Sequence, residues 1–376
     1  MKRRFLKVHP SDNVLVALTD LPKGEMLDQL NTVEAIPAKH KIAMKTFYPG
    51  DPVIMYGIVV GKAVVEIAQG KLITTSNIHH ATQDYSLGER KTTWNIPDIS
   101  AFKNRVFKGY HRNNGRVGTA NHWIVIPLVF CENRNLQILK DALQKDLGYF
   151  PSNPYRATTN DLIQRMKKGS SIDDIMHMEP SIHAGTIYTD RIFENVDGIK
   201  FLEHDGGCGG TRQDAEALCG LLAGYIVHPN VAGVTVLSLG CQHAQVAMLE
   251  AQIHRRDPHF NKPMFILEQQ KIGKESVLMD RALKQTFAGL MMANEQSRKE
   301  APISELCIGL ECGGSDGFSG ISANPAIGYT SDLLVAAGGA VILSEFPELC
   351  GVEQELSDRC FTIPTAEKFM ELMKTY

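Results

Sequence analysis

The sequence predicts an α/β protein, with Rossmann-like parallel sheets and flanking helices, preceded by a small all-β barrel or β-clip domain. Residues 1 to about 90 hold short β-branched runs, which Gly and Pro turns such as "YPGD" and "AQGK" separate at roughly ten-residue spacing. From about residue 106, apolar strands alternate with helical patterns. That order is typical of a parallel sheet covered by helices on both faces.

The strands and helices of the α/β part follow one another in pairs. The run "NHWIVIPLVF" precedes the helical pattern "NRNLQILKDALQKDL", and "GIKFLEHDGG" precedes "RQDAEALCGLLAGYIVHP". The same order recurs in "GVTVLSLGC" with "AQVAMLEAQIHRR", in "KPMFILEQQ" with "SVLMDRALKQTFAGLMMANEQSR", and in "LCIGLECGG" with "TSDLLVAAGG" and a last strand "AVILSEF". We predict a β domain over 1–90, a polar linker over 91–105, an α/β domain over 106–250, and a second, incomplete α/β domain over 251–376.

Composition excludes several classes of protein. The 376 residues, 43% hydrophobic, suffice for two or three domains with cores of their own. A net charge of −3 provides no basic field for nucleic acid. The start "MKRRFLKVHPSDN" has no apolar segment of the kind that a signal peptide needs, and runs such as "WIVIPLVF" are too short to cross a membrane. We therefore expect a soluble, cytoplasmic protein without nucleic-acid or membrane partners.

Three cysteines stand at the carboxyl ends of predicted strands, each beside glycine: Cys208, Cys241 and Cys312. That edge of an open α/β sheet is where ligands bind. Eight cysteines without a secretion signal do not indicate disulfides, so these thiols are candidates for metal ligation. Iron, as an ion or a cluster, suits three thiolates from separate loops better than structural zinc. The alternative is that each cysteine is a small core residue.

The glycine loop "HDGGCGGTR" does not match a phosphate-binding motif, because Arg212 stands where G-x-G-x-x-G needs glycine. Instead, Thr211 and Asp214 form a predicted capping box at a helix start. Polar residues accompany the three cysteines at the predicted edge: His204, Asp205, Gln242, His243, Glu311, Ser315, Asp316, Ser319 and Asn324.

Two further segments carry candidate binding residues. In "HRNNGRVGTANHW", Arg112, Arg116 and Asn121 offer donors to a carboxylate, with a solvated loop as the alternative. In "TTSNIHHATQD", His79 and His80 alternate along a strand, so at most one of them faces a given site. A surface or core histidine is the alternative there.

Several of these motifs together resemble the altronate/galactarate dehydratase family of sugar-acid hydro-lyases. They are "HRNNGRVGTANHWIVIPLVFCENRN", "HDGGCGG", "LSLGCQ" and "GLECGGSDGFSGISANPAIGYTSDLL". The β-rich segment is similar to the SAF-type β-clip domain of that family. The fused β domain and the "NIHHA" ending favour its altronate branch. Since members of the family are longer, we expect this chain to lack the family's C-terminal portion.

The resemblance implies a reaction and a set of site residues. The reaction is the dehydration of D-altronate to 2-keto-3-deoxy-D-gluconate in hexuronate catabolism, by metal-assisted elimination of water. It implies Fe²⁺, or alternatively Mn²⁺ or an iron–sulfur cluster, and a homo-oligomer. The implied residues are Cys208, Cys241 and Cys312 for the metal, His204, His243 and His80 for catalysis, and Asn121, Arg116, Ser315, Asp316 and Asn324 for the substrate.

Two other functions stay open at this point. One is a related lyase that acts on galactarate or on another hydroxy acid. The other is a non-catalytic subunit that binds a sugar acid. Iron content and keto-acid formation distinguish the dehydratase from the binding subunit, whereas a panel of sugar acids distinguishes the two lyases.

Overall fold

The computed structural model describes residues 3–150, 155–179, 191–314 and 317–376. The chain forms two compact units. Unit 1 comprises Met1–Asn104 together with Leu306–Tyr376, and unit 2 comprises Arg105–Glu305. The chain therefore begins in unit 1, forms the whole of unit 2, and returns to unit 1.

The first part of unit 1 is all-β, as predicted. Strand β2 is buried along its whole length, because its residues alternate between two apolar clusters. Val14 and Val16 pack with Phe47 and Ile67 in one cluster, whereas Leu15 and Ala17 belong to the other. Three antiparallel sheets result, in the orders β1-β2-β5-β8, β6-β7-β9 and β3-β4. The strands are β1 (Phe5–Leu6), β2 (Val14–Ala17), β3 (Met26–Leu27), β4 (Leu30–Asn31), β5 (Lys41–Ala43), β6 (Pro52–Met55), β7 (Ile58–Ala63), β8 (Leu72–Ile73) and β9 (Ile78–His79).

Unit 2 is built around a four-stranded parallel sheet in the order β13-β12-β14-β15. A smaller antiparallel sheet joins the two ends of the unit, since β10 pairs with both β11 and β16. The elements are β10 (Val106–His111), β11 (Val117–Gly118), β12 (His122–Pro127), α1 (Asn133–Gln144), α2 (Tyr155–Lys167), α3 (Ile172–Met176), β13 (Gly198–Phe201), α4 (Arg212–Val227), β14 (Val231–Ser238), α5 (Val246–Arg256), β15 (Met264–Glu268), α6 (Gln269–Ile272), α7 (Glu275–Asn294) and β16 (Lys299–Pro302).

Helices cover both faces of this parallel sheet. Alternate residues of β12 point to opposite sides, so Trp123 and Val125 pack against residues of α1 and α7. Ile124 and Ile126 pack on the other side against residues of α4 and α5. These four side chains are at most 2% exposed. The predicted fold class, an α/β sheet with flanking helices after a small all-β domain, is confirmed.

The last part of unit 1 contains a second, smaller α/β arrangement. Its two strands pair in parallel, and no residue of either strand or of the helix between them is buried. The segment is joined to the predicted linker: Lys91 forms an ion pair of 2.9 Å with Asp358, and its backbone amide donates to the Asp358 carbonyl. The elements are β17 (Cys307–Leu310), α8 (Ala323–Ala336), β18 (Ala340–Leu343), α9 (Glu353–Arg359) and α10 (Ile363–Thr375).

The units differ from the predicted domain boundaries. The predicted boundary near residue 250 lies inside α5, whose Leu249 and Ile253 share one apolar cluster with α4 and β14. A division there would split a core. The change of unit comes after Glu305 instead, because β16 pairs with β10 and so returns the chain to the start of unit 2.

The longest of the described helices is α7, with 20 residues. It carries both acidic and basic side chains along its length. No described helix combines the length and the apolar character that a membrane span requires.

The contact between α7 and Trp123 predicts that adding one methyl group at this position would strongly lower the stability of the protein. A Cβ at Gly289 would lie 2.1 Å from the Trp123 ring, in a buried position. We expect Gly289→Ala to lower the free energy of unfolding by about 1–3 kcal/mol, because the core cannot accept the added carbon without shifting the indole. Urea unfolding followed by Trp fluorescence measures this change.

The matched control is Gly224→Ala in α4. An added Cβ there meets nothing within 4 Å, so the same substitution in a helix should stabilise the protein by about 0.5–1 kcal/mol. Equal effects of the two substitutions would contradict the packing that we describe around Trp123.

Candidate active site

The carboxyl edge of the parallel sheet in unit 2 carries two loops that the sequence singles out. Strands β13 and β14 both pair in parallel with β12, so the loops that follow them begin at the same edge. One loop contains Cys208 and the other Cys241, and both thiols are exposed. The loops contact each other directly, since the Ala244 amide donates to the Gly207 carbonyl at 3.0 Å.

Gly207 holds the first loop against the end of β12. Its φ of +96° lies in the left-handed region, which favours glycine. It is buried, and an added Cβ would lie 2.3 Å from the Leu128 carbonyl oxygen. The adjacent Phe130 amide donates to the Gly206 carbonyl at 3.0 Å. Glycine at position 207 therefore allows the loop backbone to lie against the backbone at the end of β12. Cys208 follows directly after it.

The predicted capping box at the start of α4 is confirmed. The Asp214 amide donates to the Thr211 hydroxyl at 3.1 Å, and the Thr211 amide donates to the Asp214 carboxylate at 2.7 Å. These hydrogen bonds from Thr211 lower the pKa of Asp214. The Asp214 carboxylate thus already accepts from the Thr211 amide just before α4, and its negative charge does not favour a phosphate there.

The two predicted histidines at this edge differ in how their rings are bound. The His204 ring donates from Nε2 to the Pro127 carbonyl at 2.8 Å and accepts at Nδ1 from the Gly206 amide at 3.1 Å. Both of its nitrogens therefore hold the backbone of the loop. His243 donates from Nδ1 to the Gly210 carbonyl at 3.2 Å. Because His243 is exposed, its Nε2 remains available for proton transfer.

A cavity of about 340 Å³ lies over the glycine loop. Cys208, His243, Asp205 and Asp214 line it together with the loop backbone. A second cavity, of about 730 Å³, shares His243 with the first. Thiol, imidazole and carboxylate groups therefore face the same space, which is suited to acid–base chemistry on a small polar molecule.

The third predicted cysteine lies in unit 1. Cys312 follows β17, and its amide donates to the Glu345 carboxylate at 3.0 Å. The possible ligand atoms of Cys312, Glu345 and Glu348 all lie within 4.8 Å of one another. Sequence reasoning missed both glutamates. Glu345 follows β18 closely, and β18 is parallel to β17, so the rule that directed attention to Cys312 applies to Glu345 equally; Glu348 lies in the short 3-10 helix Phe346–Leu349 that comes next.

The donor groups fit a first-row divalent metal. A thiolate with two carboxylates, as in Cys312, Glu345 and Glu348, is a set that binds iron or manganese. In the part of the chain that the structure describes, this is the group that gathers three ligand atoms within 4.8 Å. Cys208 and His243 offer further soft and imidazole donors in unit 2.

Asn121 lies in the interior of unit 2. It is completely buried, and its amide donates to the carbonyls of Asn195 and Ala293 at 2.8 and 3.0 Å. Its side-chain oxygen accepts from Arg112 at 2.9 Å, and burial lowers the pKa of that arginine to about 10. The polar atoms of the Asn121 side chain are thus used inside the protein, and its predicted role in substrate binding stays a prediction.

Arg116 is exposed in the turn between β10 and β11. Like Asn121, it precedes β12 and so belongs to the amino side of the parallel sheet, whereas the glycine loop follows the carboxyl ends. The structure therefore does not bring Arg116 and Asn121 to the edge that carries Cys208. The prediction overlooked the direction of the strand that follows them.

The remaining predicted residues belong to unit 1. His80 is exposed and follows β9, and Asn324 is exposed in the first turn of α8. Ser315 and Asp316 lie outside the residues that the structure describes. The roles of these four residues stay predictions.

Comparison with known proteins assigns the chain to a family. The model for the second domain of D-galactarate dehydratase/altronate hydrolase matches residues 109–294. The model for the C-terminal domain of D-galactarate/altronate dehydratase matches residues 303–376, and that for the altronate/galactarate dehydratase SAF domain matches residues 3–81. The chain belongs to the altronate/galactarate dehydratase family. Since residues 303–376 match its C-terminal domain, the expectation that this portion is absent is corrected.

Individual relatives agree with this assignment. The chain is 31% identical to altronate dehydratase of Bacillus subtilis (strain 168), over 100% of this chain and 66% of that protein. It is 29% identical to altronate dehydratase of Escherichia coli (strain K12), over 99% and 66%. It is 28% identical to galactarate dehydratase (L-threo-forming) of the same organism, over 99% and 65%. The chain thus spans slightly less than two thirds of the length of these relatives.

The capping box predicts a pH-dependent contribution to stability. The pKa of Asp214 is lower in the folded state, so its contribution is present above the unfolded pKa of about 3.9 and is lost as the pH falls through the folded value. We expect Asp214→Asn to be less stable than the parent at pH 7, with a difference that shrinks on acidification. Thr211→Ala should cost about 1 kcal/mol at neutral pH.

Thermal unfolding between pH 7 and pH 3 measures both effects. Glu216→Gln is the control, since it removes one negative charge from the same helix without touching the capping hydrogen bonds. A pH dependence of the Asp214→Asn difference no larger than that of Glu216→Gln would contradict the prediction.

Proposed function

We propose that this chain acts in a sugar-acid dehydratase, a hydro-lyase that converts D-altronate to 2-keto-3-deoxy-D-gluconate. The observation that carries the proposal is the cavity at the carboxyl edge of the unit 2 sheet, where Cys208, His243 and Asp205 face the same space. Three family matches that together extend from residue 3 to residue 376 support the class of reaction.

The chemistry requires a base and an acid. Removal of water from a hydroxy acid takes a weakly acidic proton next to the carboxylate and expels hydroxide, a poor leaving group. His243 is the residue that we assign to proton transfer, because its Nδ1 is held by the Gly210 carbonyl and the residue is exposed and lines the cavity. His204 is a positioning residue, since both ring nitrogens bind backbone.

The metal that we propose is Fe²⁺, with Mn²⁺ or an iron–sulfur cluster as alternatives. When bound, it would supply a Lewis acid that polarises the substrate carboxylate and hydroxyls. Cys208, Cys241 and Cys312 are the proposed ligands, and Glu345 and Glu348 add carboxylates beside Cys312. Ser315, Asp316 and Asn324 remain the proposed substrate-binding residues.

The second candidate function is a subunit that binds a sugar acid without turnover. The chain spans 66% of the length of the altronate dehydratases that it matches, so the activity of those proteins is a proposal for this chain and binding without turnover stays an alternative. A related lyase acting on galactarate is the third candidate, because the identity to the galactarate dehydratase is 28%, close to the 29% and 31% of the altronate enzymes.

An anaerobic assay distinguishes these functions. We expect the chain reconstituted with ferrous iron to form a keto acid from D-altronate, detected as its semicarbazone, and to lose this activity on addition of a chelator. Faster turnover of galactarate would assign the related lyase. Iron binding without turnover of either acid would contradict the dehydratase and favour the binding subunit.

The same preparation tests the ligands. Cys208→Ser, Cys241→Ser and Cys312→Ser should each lower the iron bound per chain. Cys307→Ser is the matched control for Cys312, because Cys307 is an exposed thiol at the opposite end of the same strand. Unchanged iron content in all three variants would rule out the assignment.

The two histidines should behave differently on substitution. His243→Ala should lower kcat by about 10²-fold or more and leave the unfolding temperature unchanged, since its ring takes part in proton transfer and makes one weak contact. His204→Ala should lower the free energy of unfolding by about 1–3 kcal/mol, because the Pro127 carbonyl and the Gly206 amide lose their partner. Keto-acid kinetics and urea unfolding measure the two quantities, and a reversal of the two patterns would exchange the roles.

A further inference from the structure

Residues other than glycine rarely adopt a positive φ, and four non-glycine residues in the described part of the chain do so: Asp28, Lys39, Tyr56 and Glu345. Three of these four lie beside Cys312 or the segment that follows it. Glu345 accepts from the Cys312 amide, whereas Lys39 and Tyr56 belong to turns of the β domain, before β5 and between β6 and β7. Backbone strain of this kind persists where the surrounding structure requires it, and it is concentrated at functional sites.

Lys39 contacts the start of residues 317–321, which we call the anchored segment. The Lys39 ammonium lies 5.1 Å from the centre of the Phe318 ring, within the range of a cation–π interaction. An added Cβ at Gly317 would lie 2.7 Å from the Cβ of Lys39, so the lysine stem also lies against the backbone of the segment. Both the charge and the stem of Lys39 are therefore in contact with it.

The Tyr56 hydroxyl lies over the other end of the anchored segment. An added Cβ at Gly320 would stand 2.4 Å from this hydroxyl oxygen. Burial, together with the charge of Asp12, raises the pKa of Tyr56, so its hydroxyl is neutral at pH 7. Ile321 packs against the apolar cluster of the β domain that includes Val14. The β domain thus contacts the anchored segment at both of its ends.

The anchored segment connects two residues to which we assign roles, the proposed metal ligand Cys312 and the proposed substrate-binding residue Asn324. Its last three residues form the turn Ser319–Ile321, which leads into α8. The Ser322 hydroxyl donates to the Phe318 carbonyl at 2.7 Å and so ties the start of α8 to the segment. A shift of the anchored segment would therefore carry Asn324 with it and change the separation of Asn324 from Cys312.

We propose that Lys39 and Tyr56 are positioning residues of the catalytic site, which hold the anchored segment so that Cys312 and Asn324 stand at a fixed separation. The proposal rests on the function proposed above, from which Cys312 and Asn324 take their roles. Metal binding and catalysis both need groups that are held closely to one geometry, and residues that touch neither metal nor substrate supply this by packing. The β domain then serves the reaction directly, because it holds the anchored segment in place.

Gly320→Ala in the full chain tests the contact with Tyr56. The φ of Gly320 is not positive, so alanine suits its backbone, but the new methyl group would collide with the Tyr56 hydroxyl. The double variant Tyr56→Phe/Gly320→Ala removes that oxygen and leaves the ring carbon Cζ, 3.1 Å from the added Cβ, as its nearest neighbour. The second substitution should therefore restore the contact that the first one breaks.

Amide hydrogen exchange, read by mass spectrometry of peptides, measures this effect without metal or substrate. We expect Gly320→Ala to speed exchange in residues 318–324 about tenfold or more, and the double variant to return it to within about twofold of the parent. The matched control is Gly328→Ala in α8, where an added Cβ meets nothing within 4 Å and exchange in residues 318–324 should stay unchanged.

Co²⁺ binding, followed by thiolate-to-cobalt charge-transfer absorption, shows whether the contact positions the metal ligand. We expect Gly320→Ala to raise the Kd of Co²⁺ about tenfold or more, and the double variant to restore it, because supporting residues commonly change metal affinity by such factors.

The kinetics of the iron-loaded chain test Lys39. Lys39→Met removes the charge over Phe318 and should raise the KM for D-altronate about tenfold, whereas Lys39→Arg keeps the cation and should restore it. The matched control is Lys45→Met, which removes a similar contact, 5.5 Å from the centre of the Phe47 ring, elsewhere in the β domain. It should leave the KM unchanged and lower the unfolding temperature as much as Lys39→Met does.

Three results would overturn the proposal, and they are distinguishable. Exchange that is equal in the parent and Gly320→Ala, or equally fast in Gly320→Ala and the double variant, would show that Tyr56 does not hold the anchored segment. Exchange that responds as expected, with the Kd of Co²⁺ and the KM at parent values in every variant, would limit the contact to a structural role. A parent that neither binds Co²⁺ through thiolate nor forms a keto acid would contradict the proposed function itself, and this proposal with it.

Discussion

The site in unit 2 depends on the contact of Gly207 with the backbone of Leu128 and Val129 at the end of β12. An added Cβ would lie 2.3 Å from the Leu128 oxygen, so these two backbone segments can approach this closely only with glycine at position 207. The contact places the first loop on the sheet edge, where its carbonyl accepts from Ala244 of the second loop. The exposure of Cys208 and the position of His243 both follow from this arrangement.

The hydrogen bonds around that contact determine which chemistry the loop can support. His204 holds the loop with both ring nitrogens, and the Asp214 carboxylate accepts from the amide of Thr211, the residue that caps α4. Glycine-rich loops before a helix commonly bind phosphate through backbone amides, but here the negative charge of Asp214 lies at the start of the helix and disfavours an anion. The groups that line the cavity and can act on a bound molecule are therefore the side chains of Cys208, His243 and Asp205.

Much of the fold and of the candidate site could be predicted, because the alternation of apolar runs with helical patterns shows where each strand begins and ends. Apolar runs followed by helical patterns locate the strands, and the end of each run locates Cys208, Cys241 and Cys312 on carboxyl edges. The same rule, applied to β18, finds Glu345. The rule also places Asn121, which precedes β12, at the edge of the sheet opposite to the one that carries Cys208. What could not be predicted is the return of residues 306–376 to unit 1, since that depends on pairings such as Lys91 with Asp358, 267 residues apart, for which local sequence has no signal.

The two units each contain a parallel sheet, but the sheets differ in the number of strands and covering helices. This difference affects how firmly the candidate metal ligands are held. In unit 2, β12 has neighbours on both edges and helices on both faces, so the loops at its carboxyl edge start from a rigid base. In unit 1, Cys312 and Glu345 follow two strands that, among the described residues, pair with each other and with no third strand. Metal ligands must be held in position by the elements that carry them. The separation of Cys312 from Glu345 and Glu348 therefore depends on the pairing of β17 with β18.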